Sequence, residues 1–161
     1  MQIMNKKIIA AALALIIGGL SAVNVQAKKI TNSSQAEKMA SEYVKGATVL
    51  FVEEDEDDGI KTYEVDLKKG SKKYELVYQA SNGKLIEYKW EKINHKNSNK
   101  KVTEKEIRRK AAKKVKNAEI TEIDYDAEDA EYEVELTGKS KKYELDYSAD
   151  GTLISYQWEK F

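Results

Sequence analysis

The sequence predicts an α+β protein of two tandem repeats, each one helix packed on a four-stranded antiparallel meander sheet. Three observations carry this. Lys72-Lys73-Tyr74-Glu75-Leu76-Val77-Tyr78 leads through Asn82-Gly83 into Leu85-Ile86-Glu87-Tyr88-Lys89-Trp90, and Lys141-Lys142-Tyr143-Glu144-Leu145-Asp146-Tyr147 leads through Asp150-Gly151 into Leu153-Ile154-Ser155-Tyr156-Gln157-Trp158. In both copies apolar and charged residues alternate, the period of a strand with one buried and one wet face. Each copy is preceded by a capped stretch whose apolar residues recur at three and four, the period of a helix.

The first residues stand apart. Lys6-Lys7, the apolar run Ile8 to Leu20 and Val25-Gln26-Ala27 make a basic end, a hydrophobic segment and a small-residue cleavage site, the layout of a secretory signal peptide. The run is short for a membrane span, which needs roughly 20 apolar residues, although an uncleaved signal anchor is the alternative. Residues 1–27 are therefore expected to be removed, leaving repeat one at 28–93, a linker at 94–100 and repeat two at 101–161. Secretion or retention in the cell envelope follows, with no stable membrane insertion once the signal is cleaved.

In repeat one, Thr31, Asn32, Ser33 and Ser34 offer capping oxygens, answered by Gln35 and Glu37. Ala36, Met39, Ala40, Tyr43 and Val44 form one stripe, so a helix is expected over 33–45, stopped by Gly46. Thr48 to Val52 is a strand by β-branching. The acidic run Glu53 to Asp58 before Gly59 reads as a solvated hairpin loop, too repulsive for a sheet interior. Tyr63, Val65 and Leu67 alternate along the second strand, Lys69-Gly70-Ser71 turns the chain, and the hairpin quoted above completes four strands.

Repeat two follows a polar stretch holding the only His, His95. Thr103 and Glu106 make a capping box; Ile107, Ala111 and Val115 mark the inner face of a helix ending near Asn117. Lys110 and Lys114 stand where Met39 and Tyr43 stood. Ile120 to Tyr125, a short loop at Ala127 to Asp129, and Tyr132, Val134 and Leu136 then repeat the first two strands. One copy alone is small enough for its core to be marginal, so the two are expected to lean on each other.

These residues resemble tandem PepSY domains: a capped helix, then Y-E-V-D-L (63–67) or Y-E-V-E-L (132–136), then K-Y-E-L (73–76 and 142–145), a polar turn and an apolar L-I. The resemblance implies a non-catalytic module of the kind found in propeptides of secreted metallopeptidases and in free-standing envelope proteins, with inhibition, chaperoning or localisation of peptidases as its roles. It is similar also to the β-lactamase inhibitor protein, whose two units form a continuous concave sheet. On that likeness the exposed surface would carry Glu64, Lys73, Glu75, Glu87 and Lys89 with Glu133, Lys142, Glu144 and Gln157.

Little in the chain points to catalysis. It has no Cys, and His95 is alone in a polar linker, so no nucleophile and base pair presents itself. No catalytic residue, cofactor or metal ligand is assigned. The acidic run could gather Ca²⁺, but Glu54 and Glu56 stand where an EF-hand wants Asp or Asn and Val65 falls at the closing position, so a solvated loop is the preferred reading. The last turn, Asp146, Ser148 and Asp150, ends on Gln157 and fails likewise.

Charge is balanced overall, with 28 basic and 28 acidic residues, which disfavours nucleic acid as a partner. Within repeat two it is segregated: basic residues crowd Lys96 to Lys116 and acidic ones Glu119 to Glu135. This region is read as a basic helix facing its own acidic hairpin, or as an attractor of anionic wall polymer, phospholipid headgroups or an acidic protein surface. Trp90 and Trp158 are read first as packing between repeats and second as binding anchors. The expected function is binding and inhibition or regulation of a secreted or envelope peptidase; the alternative is an envelope module for anionic wall polymer or divalent cations. The sequence assigns no oligomeric state.

Overall fold

The computed structural model describes residues 28–95 and 100–161, so the expected signal peptide and residues 96–99 of the expected linker lie outside it. The first half comprises α1 (Ser33–Tyr43), β1 (Thr48–Asp57), β2 (Ile60–Lys69), β3 (Lys72–Gln79) and β4 (Lys84–Lys92); the second comprises α2 (Glu104–Lys114), β5 (Glu119–Asp126), β6 (Glu131–Thr137), β7 (Lys141–Ser148) and β8 (Leu153–Lys160). All eight strands form one sheet, in the order β1-β2-β3-β4-β8-β7-β6-β5.

The two meanders are joined by β4 and β8, which run antiparallel with Tyr88 opposite Trp158, Lys89 opposite Gln157 and Trp90 opposite Tyr156. Tyr88 and Trp90 correspond in sequence to Tyr156 and Trp158, so the register is symmetric about the Lys89–Gln157 pair. Each half thereby covers the last strand of the other, which answers the marginal size of a single copy.

Both helices lie on one side of the sheet, α1 on β1 and β2 and α2 on β5 and β6. Ala36 and Ala40 on α1, and Ile107 and Ala111 on α2, are fully buried. Small side chains let the helix axis approach the strands, where Tyr63, Val65 and Leu67 or Tyr132, Val134 and Leu136 meet it. Each such aliphatic side chain contributes roughly 1.5–3 kcal/mol by leaving water.

The caps form as the residues suggest. Asn32 Oδ1 accepts from the Gln35 N–H at 3.1 Å, and Gln35 Oε1 accepts from the Thr31 N–H at 2.9 Å. On α2, Thr103 Oγ1 accepts from the Glu106 N–H at 3.3 Å while the Thr103 N–H donates to Glu106 Oε2 at 3.2 Å. Thr103→Ala should therefore cost about 1 kcal/mol, read as a lower urea midpoint with an unchanged slope. Ahead of each helix the chain is pinned to the sheet in the same way: the Ile30 N–H donates to the Ala80 carbonyl and the Val102 N–H to the Ala149 carbonyl, both at 2.8 Å. Gly83 is required beside the first of these, because its φ is +67° and a Cβ there would collide with the Lys28 carbonyl oxygen.

Three expectations are corrected. The acidic run is not a loop: Glu53 to Asp57 continues β1, paired residue for residue with β2 from Glu53 opposite Glu64 to Asp57 opposite Ile60. The turn is only Asp58-Gly59, both at positive φ. As an outer strand, β1 keeps these carboxylates exposed, so burial never opposes their charge. Their alternation also sends Glu53, Asp55 and Asp57 to one side and Glu54 and Glu56 to the other, which spreads the ligands an ion would need together. Both helices also end earlier than the apolar stripes suggest, at Tyr43 and Lys114, with Val44 and Val115 as C-caps. Finally, α2 packs on the apolar side of its acidic hairpin and does not meet the carboxylates. Ile120, Ile123 and Tyr125 pack toward the helix, which turns Glu122 and Asp124 to the opposite side.

Candidate interaction surfaces

The side of the sheet away from the helices is built by strand alternation alone. Because Tyr63, Val65 and Leu67 point to α1, Glu64 and Asp66 point away, and the register carries that side across through Glu75, Lys89 and Gln157 to Glu144 and Glu133. All nine residues expected on the exposed surface lie on this side. The signal was already in the alternation for others that the expectation omitted: Asp66, Asp146, Glu122, Asp124 and Glu135 share it.

The resulting face is acidic. On β5 and β6, Glu122 stands opposite Glu135 and Asp124 opposite Glu133. The Glu122 carboxyl is pushed above its usual range by its hydrogen bond with Asp124, then by the charges of Asp124 and Glu135. Burial raises Asp146, against the opposing effect of its hydrogen bond with Ser155, and Asp146 Oδ1 is buried without a hydrogen-bond partner. Compensation is local: Lys73 Nζ lies 3.0 Å from Asp66 Oδ2, and Gln157 Nε2 donates to Glu87 Oε1 at 2.9 Å across the junction of the halves. Glu64, Asp66 and Glu75 each bring a carboxylate oxygen within 4.8 Å of the others, with the Lys73 ammonium already against Asp66.

The helix-bearing side is different at its centre. Since the helices lie over the outer strands, β3, β4, β8 and β7 carry an aromatic strip between them. Tyr88 stacks on Trp158 with centroids 6.2 Å apart and meets Tyr43, Tyr74 and Tyr156 at 5.7, 6.4 and 6.4 Å; Tyr156 meets Tyr143 at 6.4 Å. Trp90 and Trp158 are 7% and 8% exposed, which favours the packing reading over the anchor reading, whereas Tyr74, Tyr88, Tyr143 and Tyr156 are only half-buried. The helices thus leave these four rings partly uncovered.

Lysines close the strip at both ends. Lys72 Nζ sits 3.2 Å from the Trp90 ring centroid and Lys141 Nζ 3.2 Å from that of Trp158. Burial lowers the Lys72 ammonium, helped by Lys114 and Lys92. Burial likewise pulls Lys141 down to about 8, with Lys160 adding to it. Tyr43 of α1 covers Tyr88, and at the matching place Lys114 of α2 lies 4.9 Å from the Tyr156 centroid.

His95 was read as solvated linker. It is half-buried, with Nε2 2.8 Å from Glu131 Oε1, tying the connection between the halves to β6. A contact between residues 36 apart in the chain leaves no trace in local sequence.

Residues 32–89, from the N-cap of α1 to the middle of β4, match the family described as Peptidase propeptide and YPEB domain, or PepSY. This stretch is PepSY-like. The helix, the four-stranded meander and the Tyr-Glu-Val and Tyr-Glu-Leu strands that carry it are those described above. PepSY domains are as a rule non-catalytic, propeptide-like modules, and the family fits a protein-binding or regulatory role. A solved protein of Clostridium difficile 630 described as a lipoprotein aligns with 78% of this chain and 91% of its own, at 18% identity and a TM-score of 0.37. The YpeB C-terminal domain of Bacillus megaterium aligns with 80% of this chain and 63% of its own, at 11% identity and a TM-score of 0.49. No curated protein matches the chain. Among the described residues no helix is long and apolar enough to cross a membrane.

Proposed function

We propose that this is an exported, non-catalytic PepSY-domain protein that binds a secreted or envelope peptidase and restrains it. The supporting observation is the side of the sheet away from the helices: both helices pack on the other side, and its rows of carboxylates span both halves. A peptidase with a basic rim around its cleft is the complement of such a face, and docking there would block the cleft without any chemistry by the inhibitor. The family's association with peptidase propeptides supports the choice of partner.

The test is capture of peptidases from culture supernatant and cell wall on the purified protein, followed by activity assays on each captured enzyme. Inhibition that weakens about tenfold in Glu133→Lys/Glu135→Lys, both exposed, is the expected result. Recovery of no peptidase, or inhibition unchanged by this pair, would remove the proposal. N-terminal sequencing of the exported protein is expected to begin at Lys28.

A further inference from the structure

The aromatic strip on the helix-bearing side takes no part in the surface proposed for the peptidase. Its floor is four half-buried tyrosines, Tyr74, Tyr88, Tyr143 and Tyr156. Its two ends are alike: a lysine lies on the face of a tryptophan at 3.2 Å in each. Lys92 stands directly opposite Lys72 on the paired strand and Lys160 directly opposite Lys141, with Lys114 over Tyr156 adding a further charge. Like charges are thus crowded at both ends. Such crowding opposes folding, since each ammonium is partly desolvated beside another, and an anion placed there would relieve it.

The strip's length follows from the strands. Lys92 and Lys160 lie at opposite ends of the paired strands β4 and β8: Lys92 lies two residues beyond Trp90, whose partner is Tyr156, while Lys160 lies two beyond Trp158, whose partner is Tyr88. That offset of about six residues spans ~20 Å. A single phosphate meets only one end; a chain bearing several, laid along the strip, meets both.

The middle of the strip selects what lies between the charges. Phenol faces stack on sugar or polyol carbons, and the hydroxyls of Tyr88 and Tyr156, kept protonated by burial, can donate to ether, hydroxyl or phosphate oxygens. An acidic peptide would satisfy the lysines but would set its own amide groups against the rings. We propose that this strip is a binding site for an extended phosphodiester polymer of polyols or sugars, its phosphates held by the Lys72 and Lys141 ends and its carbon units lying on the tyrosines.

The probe is a set of synthetic glycerol phosphate oligomers, short and long, added to the purified protein while tryptophan fluorescence is followed. Trp90 and Trp158 lie beneath the lysines, so binding should change their emission. Oligomers long enough to span both ends should bind at least about tenfold more tightly than a dimer. Lys72→Glu/Lys141→Glu should lose about tenfold or more, and Arg109→Glu/Lys113→Glu, exposed on α2 away from the strip, less than about twofold. If the first pair unfolds by circular dichroism, Lys72→Met/Lys141→Met replaces it, with the same loss expected. Equal loss in both pairs, no dependence on oligomer length, or equally tight binding of poly-glutamate or phosphatidylglycerol vesicles would overturn the proposal. Peptidase inhibition should survive Lys72→Glu/Lys141→Glu, which separates this surface from the one on the other side.

Discussion

Tyr88→Ala should destabilise the protein by about 3 kcal/mol, at the lower end of what aromatic truncation in a core costs because the ring is half-buried. No other ring touches so many: Tyr43 and Tyr74 of its own half, Tyr156 and Trp158 of the other. Its removal strips contacts from both sides of the junction at once. Tyr156→Ala removes contacts to Tyr88 and Tyr143 and the Lys114 ammonium and should cost less. Since the two rings touch, the double variant should be less destabilised than the sum of the singles. Urea unfolding of the three variants measures this. A cost for Tyr88→Ala below about 1 kcal/mol would mean that backbone pairing of β4 with β8 holds the halves without help from the rings.

The second large effect is alkaline unfolding. Burial raises the phenols of Tyr78, Tyr88, Tyr147 and Tyr156, the last two to about 12. In the unfolded chain they ionise near 10. Between those values the folded state holds protons that the unfolded state has released, so stability is intact below pH 10 and lost as pH rises toward 12. Tyr147, 3% exposed, would have to carry its phenolate charge almost out of water, so its ionisation opposes the fold. Lys141 acts in the opposite sense. Its folded value of about 8 lies below its unfolded one, so its contribution improves as pH rises through the range from about 8 to 10. Stability should therefore hold up to about pH 10 and then collapse. Phenolate absorbance should rise together with loss of circular dichroism, and Tyr147→Phe should move the transition to higher pH. A transition left in place by Tyr147→Phe would contradict the burial of that ring.

Most of the fold could be read from local pattern because its determinants are local. Alternation fixes which side each strand residue takes, and the nine surface residues expected from it all lie together. Capping boxes mark where α1 and α2 begin for the same reason. The acidic run departs from expectation because mutual repulsion bars a strand from a sheet's interior but not from its rim. At the rim of a sheet, Glu53 to Asp57 lose little hydration, and Lys61 and Tyr63 on β2 are in place to meet Glu54. Helix ends were overestimated since Val44 and Val115 remain apolar and buried as caps without being helical. The aromatic strip needs more than local pattern: it exists only once β4 pairs with β8, and the register of that pairing is written in neither half alone. The substitution of Lys114 for Tyr43 at matching positions looked like a weakened helix stripe. In the assembled sheet both side chains reach the rings of the central strands.

The rows of carboxylate along β1 and β5 have a consequence for how the protein associates. Both strands end the sheet with unsatisfied backbone groups, an invitation to any extended segment. A second copy arriving at either border would set carboxylates against carboxylates on strands about 5 Å apart, at Glu53 to Asp57 or at Glu119, Glu122 and Asp124. Pairing of copies through those acidic stretches is thereby opposed, and eight strands remain an open plate.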